Sequence, residues 1–430
     1  MSATAVQTPP PAAPRAPGAK AGRRKLSVPV LLLIVAAGLV LVSAVRVIAG
    51  DNATDVTSSG QIAGTLTGAV PIALAGLGGL WAERAGVVNI GLEGMMILGT
   101  FFGAWAGWAM NPWMGVVAGV LGGMAGGLVH AIVTVTFGVD HIIAGVAMNI
   151  LAAGVTAYMA KRIFNVGKAA TEGGTPKQSP PMEDMKTFTV PGLAHWLATL
   201  EKHHWFVVSD IAGVLGGVVT RISSLTLLAV VLFVATFFVL WRTSFGLRLR
   251  SCGENPVAAE SLGVNVYLYK YIAVIVSGGL AGLGGFFLSV GTHFYLEGQT
   301  SGRGYIGLAA MIFGNWRPGG LAMGAGLFGY TDSLQLRSGT DSVHALLLLL
   351  AILLLAMAVW KYLRKAYISA GFALGFAALL ALWYLTTDSV PSEVVQASPY
   401  VATLLVMGLF SQRLRMPKAD GQPYRKGQGG

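Results

Sequence analysis

Residues able to do chemistry are sparse in this sequence, and each stands inside or beside a long apolar stretch. Glu93 lies within IGLEGMMILG at 90–99. An acid placed fully in hydrocarbon costs ~2.5–3.5 kcal/mol on insertion scales, so such a residue faces a cavity or a partner group. A second reading fits equally: Glu93 stands in the first turn of its helix, where the positive end of the dipole favours an acid. Asn89 precedes it but misses capping-box spacing by one residue, and the pair is a candidate for a translocation path or a packing network. Asn149, in mid-span, reads as a hydrogen bond between helices before it reads as a solute contact. Asn315 and Trp316 close a later short helix, and Trp316 suits an interfacial anchor as well as a stacking ring. Scattered amides and a single acid in an apolar bundle can pass a polar solute; they do not make a catalytic constellation.

The absences agree. The sequence has no G-x-x-x-x-G-K-[ST], hence no phosphate-cradling loop of its own. It has no H-E-x-x-H, and no Ser, His and acid set placed for hydrolysis. His195, His203 and His204 match no specific metal spacing, so no metal or other cofactor is expected in this chain. If ATP drives transport, ATP and its Mg must be held by partner subunits, and the chain itself is not an enzyme.

Gly253-Glu254-Asn255-Pro256-Val257-Ala258-Ala259-Glu260-Ser261-Leu262-Gly263 reads as a short helix with its own start and stop. Asn255 is a good N-cap, Pro256 suits the first helical position, and Gly263 supplies a left-handed terminator. So short a helix is not stable alone in water. It needs flanking spans and a partner for its small apolar face, expected to be Ala258, Ala259 and Leu262. The reading preferred is a peg docked in a groove of a cytoplasmic protein; a loop helix resting on lipid headgroups is the plainer alternative.

The elements that must position these residues are membrane spans. Of the 430 residues 54% are hydrophobic and 11% charged, well under the ~25% charged of a soluble domain. Apolar runs at 26–45, 61–80, 113–137, 222–240, 271–292, 343–360 and 366–386 approach or exceed the ~20 residues that cross a bilayer. The fold class expected is an all-α polytopic membrane protein of about 10–12 transmembrane helices, with broken or half helices at 305–315 and 398–410. The net charge of +11 does not point to nucleic acid. Lys and Arg cluster at 15–25, 242–250, 361–365 and 413–426, whereas 50–60 and 386–397 carry acids and no bases. That asymmetry puts both termini in the cytoplasm of a multi-pass plasma-membrane protein. The lone Cys252 then sits in a reducing compartment as a free thiol.

Domain organisation follows. Residues 1–25 read as a disordered cytoplasmic tail, and 26–60 as an extra first span with its outer loop. A core at 61–365 holds an extracytoplasmic segment at 164–221 and a coupling loop at 242–266. A terminal pair of spans occupies 366–410 and a basic tail 411–430. Within the core, LAGLGG at 74–79 is followed by IGLEGMMILG and by NPWMGVVAG at 111–119. LAGLGG returns at 280–285, followed by IGLAAMIFG at 306–314 and NWRPGGLAMGAG at 315–326. Gly-rich packing alone accounts for the hexapeptide, but not for the elements that follow it in the same order. Counting spans, the first copy ends a helix running inward and the second a helix running outward. The repeats, about 70–163 and 267–360, are therefore expected to be inverted, an arrangement that places a translocation path at their interface.

GLWAERAGVVNIGLEGMMILG at 79–99, RSCGENPVAAESLGVNV at 250–266 and SGRGYIGLAAMIFGNWRPGG at 301–320 closely resemble ATP-binding-cassette importer permeases of the branched-chain amino acid/ribose class. The ERAGVVNIGLEGMM wording is most similar to the nucleoside (simple-sugar) permeases, and the resemblance spans about 61 to 361. It implies a heterodimer with a second permease chain, two ATP-binding-cassette subunits engaging GENPVAAESLG as a coupling helix, and an extracytoplasmic substrate-binding lipoprotein. The small-molecule substrate would be a nucleoside or related sugar compound. The Pro/Ala-rich tail with its first span, the enlarged 165–210 segment and the spans after Lys365 depart from the family's pattern. Two other classes stand as alternatives: an ion-coupled secondary transporter, which would call for paired mid-span acids, and a polytopic membrane enzyme, which would call for clustered His and acids.

Overall fold

The computed structural model describes residues 56–337, 339–387 and 414–427, with short pieces between 38 and 48 and between 389 and 397. The expected tail at 1–25, most of the expected first span and the 398–410 span lie outside the described residues.

Several helices start where the sequence supplies a side-chain cap. α1 (Ser59–Arg84) begins on Ser58, whose side chain accepts the Gln61 N–H. A non-helical link at 85–91 leads into α2 (Leu92–Ala109). The Asn111 side chain accepts the Met114 N–H to start α3 (Pro112–Ala131), which runs on through a π-helical turn, Ile132–Thr136. Asp140 caps α4 (His141–Ile163) through the Ile142 and Ile143 amides. The segment after α4 holds α5 (Gly167–Thr171), β1 (Thr187–Phe188), α6 (Leu193–Lys202), α7 (Val208–Val219) and β2 (Ile222–Ser223), with Thr187 paired to Ser223 and Phe188 to Ile222. Then come α8 (Ser224–Arg242), α9 (Ser244–Glu254), α10 (Pro256–Ser261), α11 (Val266–Thr292), α12 (Arg303–Phe313), α13 (Pro318–Arg337), α14 (Gly339–Leu363) and α15 (Tyr367–Thr386).

Among the described residues, seven helices are long and apolar enough to cross a membrane: α1, α3 with its π turn, α4, α8, α11, α14 and α15. α2 and α13, at 18 and 20 residues, are nearly as long. α12 has only 11 residues, about 17 Å, and reaches roughly half-way through. This is an all-α polytopic membrane protein with a half-helix in its second repeat. α2 begins at Leu92, because 85–91 turns instead of winding.

The two LAGLGG helices lie side by side and antiparallel. A Cβ added at Gly78 would come within 2.5 Å of the Ser277 carbonyl oxygen, and one at Gly284 within 2.9 Å of that of Pro71. Residue numbers thus rise along α1 as they fall along α11, so the repeats are inverted. They also exchange helices. α3, the third helix of repeat one, packs on α11 so closely that a Cβ at Gly123 would meet the Gly278 oxygen at 2.1 Å. α13, the third helix of repeat two, packs likewise on α1, where a Cβ at Gly329 would meet the Thr65 oxygen at 2.5 Å. Lipid tails offer no hydrophobic driving force between helices, so small residues that admit close backbone approach supply the attraction. The outer part of α1 is further covered by α7, whose Asp210 accepts hydrogen bonds from Ser43 and Thr57.

Candidate functional site

Three of the residues singled out in the sequence meet where the repeats join. Glu93, 7% exposed, starts α2, and its Oε1 and Oε2 accept the backbone N–H groups of Gly302 at 2.9 Å and Gly304 at 2.7 Å. It therefore caps the half-helix α12, whose first amides have no partner inside the helix. Asn149 stitches the same place from α4: its Oδ1 accepts the Gly94 N–H at 2.7 Å, and its Nδ2 donates to the Ile90 carbonyl at 3.1 Å and the Tyr305 hydroxyl at 2.8 Å. Asn89 is fully buried in the 85–91 link, with Nδ2 donating to Ser277 Oγ at 2.9 Å and Oδ1 without a hydrogen bond.

Asn315 and Trp316 lie at the far end of the half-helix. Both have left-handed backbone, φ 56° and 53°, a conformation Asn tolerates better than Trp. The turn is pinned from three sides. Trp316 Nε1 donates to Glu83 Oε2 at 2.5 Å, the Trp316 carbonyl accepts from the Arg84 guanidinium, and Asn315 Oδ1 accepts the Arg415 N–H at 2.7 Å. Glu93 and Asn149 thus sit at one end of α12 and Asn315 and Trp316 at the other, while Asn89 faces α11, and the five do not converge on one pocket.

A cavity of about 1020 Å³ opens on other residues. It lies between α1, α11, α12 and α13 and is walled on one side by 184–187 and 220–223 of the segment that follows α4. Thr67, Arg303, Asp332 and Ser333 line it, and Arg303 Nη2 and Asp332 Oδ2 form an ion pair at 2.9 Å. His293 Nδ1 approaches Asp184 Oδ1 at 2.9 Å at the rim. Sequence reasoning passed over Arg303 and Asp332, although two opposite charges inside apolar helices are the signal that marks intramembrane sites.

The short helix expected from the sequence is α10. Asn255 Oδ1 accepts the Ala258 N–H at 3.0 Å, and Gly263 closes it at φ 80°. Glu254, Ala258, Ser261 and Leu262 are exposed, Leu262 at 86%. Ala259 differs from expectation. It was placed on the docking face, but it is 3% exposed and packs inward on Cys252, Val266 and Tyr424. Helical rotation separates it from Ala258 by about 100°, and the chain at 414–427 covers that side. Gly253 sits so close to the end of α1 that a Cβ there would meet the Arg84 oxygen at 2.4 Å. Burial pushes the Cys252 thiol up to about 11, which keeps it protonated and unreactive.

Residues 61–358 match the family described as branched-chain amino acid transport system / permease component. The guanosine ABC transporter permease protein NupQ of Bacillus subtilis (strain 168) is 34% identical over 375 residues, covering 85% of this chain and 96% of that protein. The nucleoside ABC transporter permease protein NupC of Lactococcus lactis subsp. cremoris is 30% identical over 379 residues, covering 85% and 96%. A putative glucose ABC transporter permease protein, TsgC13 of Haloferax volcanii, is 34% identical over 291 residues, covering 66% and 80%. No solved structure gives a significant match.

Proposed function

Because the chain belongs to the permease-component family of branched-chain amino acid transport systems, we propose that it carries nucleosides or related neutral sugar compounds into the cell. It is the membrane permease subunit of an ATP-binding-cassette importer and not itself an enzyme. Within this reading, ATP and Mg are bound by two partner subunits, a second permease chain completes the pore, and an extracytoplasmic lipoprotein delivers the solute. Permeases named NupP and NupQ occur together in Bacillus subtilis, and NupB and NupC in Lactococcus lactis, which supports the paired-permease part.

One observation carries the substrate class. A half-helix N-terminus is where a transporter holds an anionic group of its solute, and in this chain Glu93 already occupies those amides. The charges beside the cavity, Arg303 and Asp332, neutralise each other. At the α12 N-terminus a carboxylate-bearing solute would meet amides already taken by Glu93 and a guanidinium already paired with Asp332, whereas a neutral polyol can share hydrogen bonds with the pair; Lys186, Arg221 and Arg337 stand elsewhere around the cavity. We take the cavity to be the outward vestibule, and the short helix with exposed Ala258 and Leu262 to be the coupling helix, with both termini in the cytoplasm.

Motor and path are then joined mechanically. Closure of the ATP-binding subunits displaces Asn255–Gly263, the displacement passes through Gly253 to the end of α1, and the exchanged repeats rock against each other. An ion-coupled carrier working alone is not favoured by this family membership. Uptake into vesicles carrying the full subunit set tests the reading with labelled nucleosides, ribose and branched-chain amino acids, with and without ATP. ATP-dependent nucleoside or ribose uptake is expected; uptake of amino acids alone would contradict the substrate class.

A further inference from the structure

The segment 414–427 follows the last spans in sequence, yet it lies against the coupling helix and both repeats at once. The Ala419 N–H donates to the Gly253 carbonyl at 2.9 Å, and the Gly427 N–H reaches Glu260 Oε2 at 3.4 Å. Tyr424 is buried against Cys252, Ala259 and Val266, and its ring centre lies 5.4 Å from that of Tyr267. Toward repeat one, Gly421 sits against the Val88 side chain, and buried Asp420 faces Glu83 at the end of α1. Toward repeat two, the Arg415 N–H donates to Asn315 Oδ1 at the left-handed turn below the half-helix.

This arrangement has two sides. Pro417, Ala419, Asp420 and Tyr424 are buried, whereas Arg415, Lys418, Arg425 and Lys426 are exposed. The Gly427 N–H on Glu260 Oε2 brings this segment against the helix that presents exposed Ala258 and Leu262. A six-residue helix touching the bundle only at its own ends would dissipate a push as local bending. Coupling between distant parts needs a contiguous set of packed and hydrogen-bonded groups. The 414–427 segment supplies one, from the coupling helix to the end of α1 and to the turn at Asn315.

We propose that residues 414–427 are a transmission strut: together with the coupling helix they form the surface gripped by the ATP-binding subunit, and they carry its displacement to both repeats. The proposal rests on the importer reading above and adds a second element to its coupling site. Its occupant is the ATP-binding subunit, because the strut is continuous with the helix that the subunit engages.

The test uses the complete transporter in vesicles, with labelled guanosine as probe, and reads guanosine taken up per ATP hydrolysed. Deletion of 414–430 and the single change Tyr424→Ala are compared with the parent. In both, uptake per ATP hydrolysed is expected to fall about 5-fold or more, the size of a typical coupling effect. An unchanged uptake per ATP in either variant would overturn the strut, and Tyr424→Ala decides the matter if the deletion fails to assemble. The double change Ala258→Asp, Leu262→Asp separates the two readings. Normal uptake with that pair would remove the coupling-helix reading itself, whereas lost uptake with that pair and normal coupling in Tyr424→Ala would remove the strut alone.

Discussion

The Glu93 carboxylate accepts the Gly304 N–H at 2.7 Å across 211 residues of sequence. A side chain of the first repeat thereby completes the helix of the second. Glu93→Ala leaves the half-buried Gly302 and buried Gly304 amides without their acceptor, at about 1–3 kcal/mol for a buried one, so its thermal unfolding in detergent should fall below the parent. Glu93→Gln keeps one acceptor oxygen and should fall between the two. Equal stability of Glu93→Ala and the parent would contradict the capping role.

Asn149 makes three hydrogen bonds between α4, the 85–91 link and Tyr305. Asn149→Leu should therefore cost stability, on the order of 2–4 kcal/mol for a broken buried network. On the proposed reading, the relative uptake of two different labelled nucleosides should stay as in the parent. A changed ratio at unchanged stability would instead make Asn149 a solute contact.

Glycine contacts should sort by what a Cβ would meet. At Gly282 it would lie 2.3 Å from the Gly119 oxygen, whereas Gly371 has nothing within 4 Å. Gly282→Ala is expected to destabilise by about 1–3 kcal/mol through overpacking, and Gly371→Ala to be neutral or to stabilise slightly. Paired melting curves check this.

Docking of 414–427 should weaken as pH rises. Burial raises the Asp420 carboxyl from its ordinary 3.8 to about 7, opposed by the nearby Lys270 and Arg84 charges. The docked state then holds a proton that the undocked state releases. Its stabilising effect is complete below pH ~4, declines from there through pH ~7, and is absent above. Limited proteolysis of the tail should accelerate across that window, and Asp420→Asn should flatten the dependence.

Much of this molecule is legible in its sequence because membrane spans and helix caps are local. Asn255, Pro256 and Gly263 delimit the short helix α10, and Asn111-Pro112 starts α3, through contacts within a few residues. The inverted repeat is legible too, once charge asymmetry orients the two LAGLGG helices. Long-range partners are not. Nothing near Ala259 announces that Tyr424 covers it, so its inward orientation was missed. Nor does any pattern around Glu93 point to Gly302, 209 residues away. Arg303 and Asp332 carry a visible signal, two charges in apolar helices, but their pairing depends on how α12 leans on α13.

The central claim is that Leu262 faces the motor subunit. Cys252 is buried and its thiol protonated, so Leu262→Cys introduces a single reactive thiol. In the assembled transporter, a short bifunctional reagent should link that position to the ATP-binding subunit, and added ATP should change the yield. A thiol at 262 labelled only from outside the cell, and never linked to that subunit, would contradict the account.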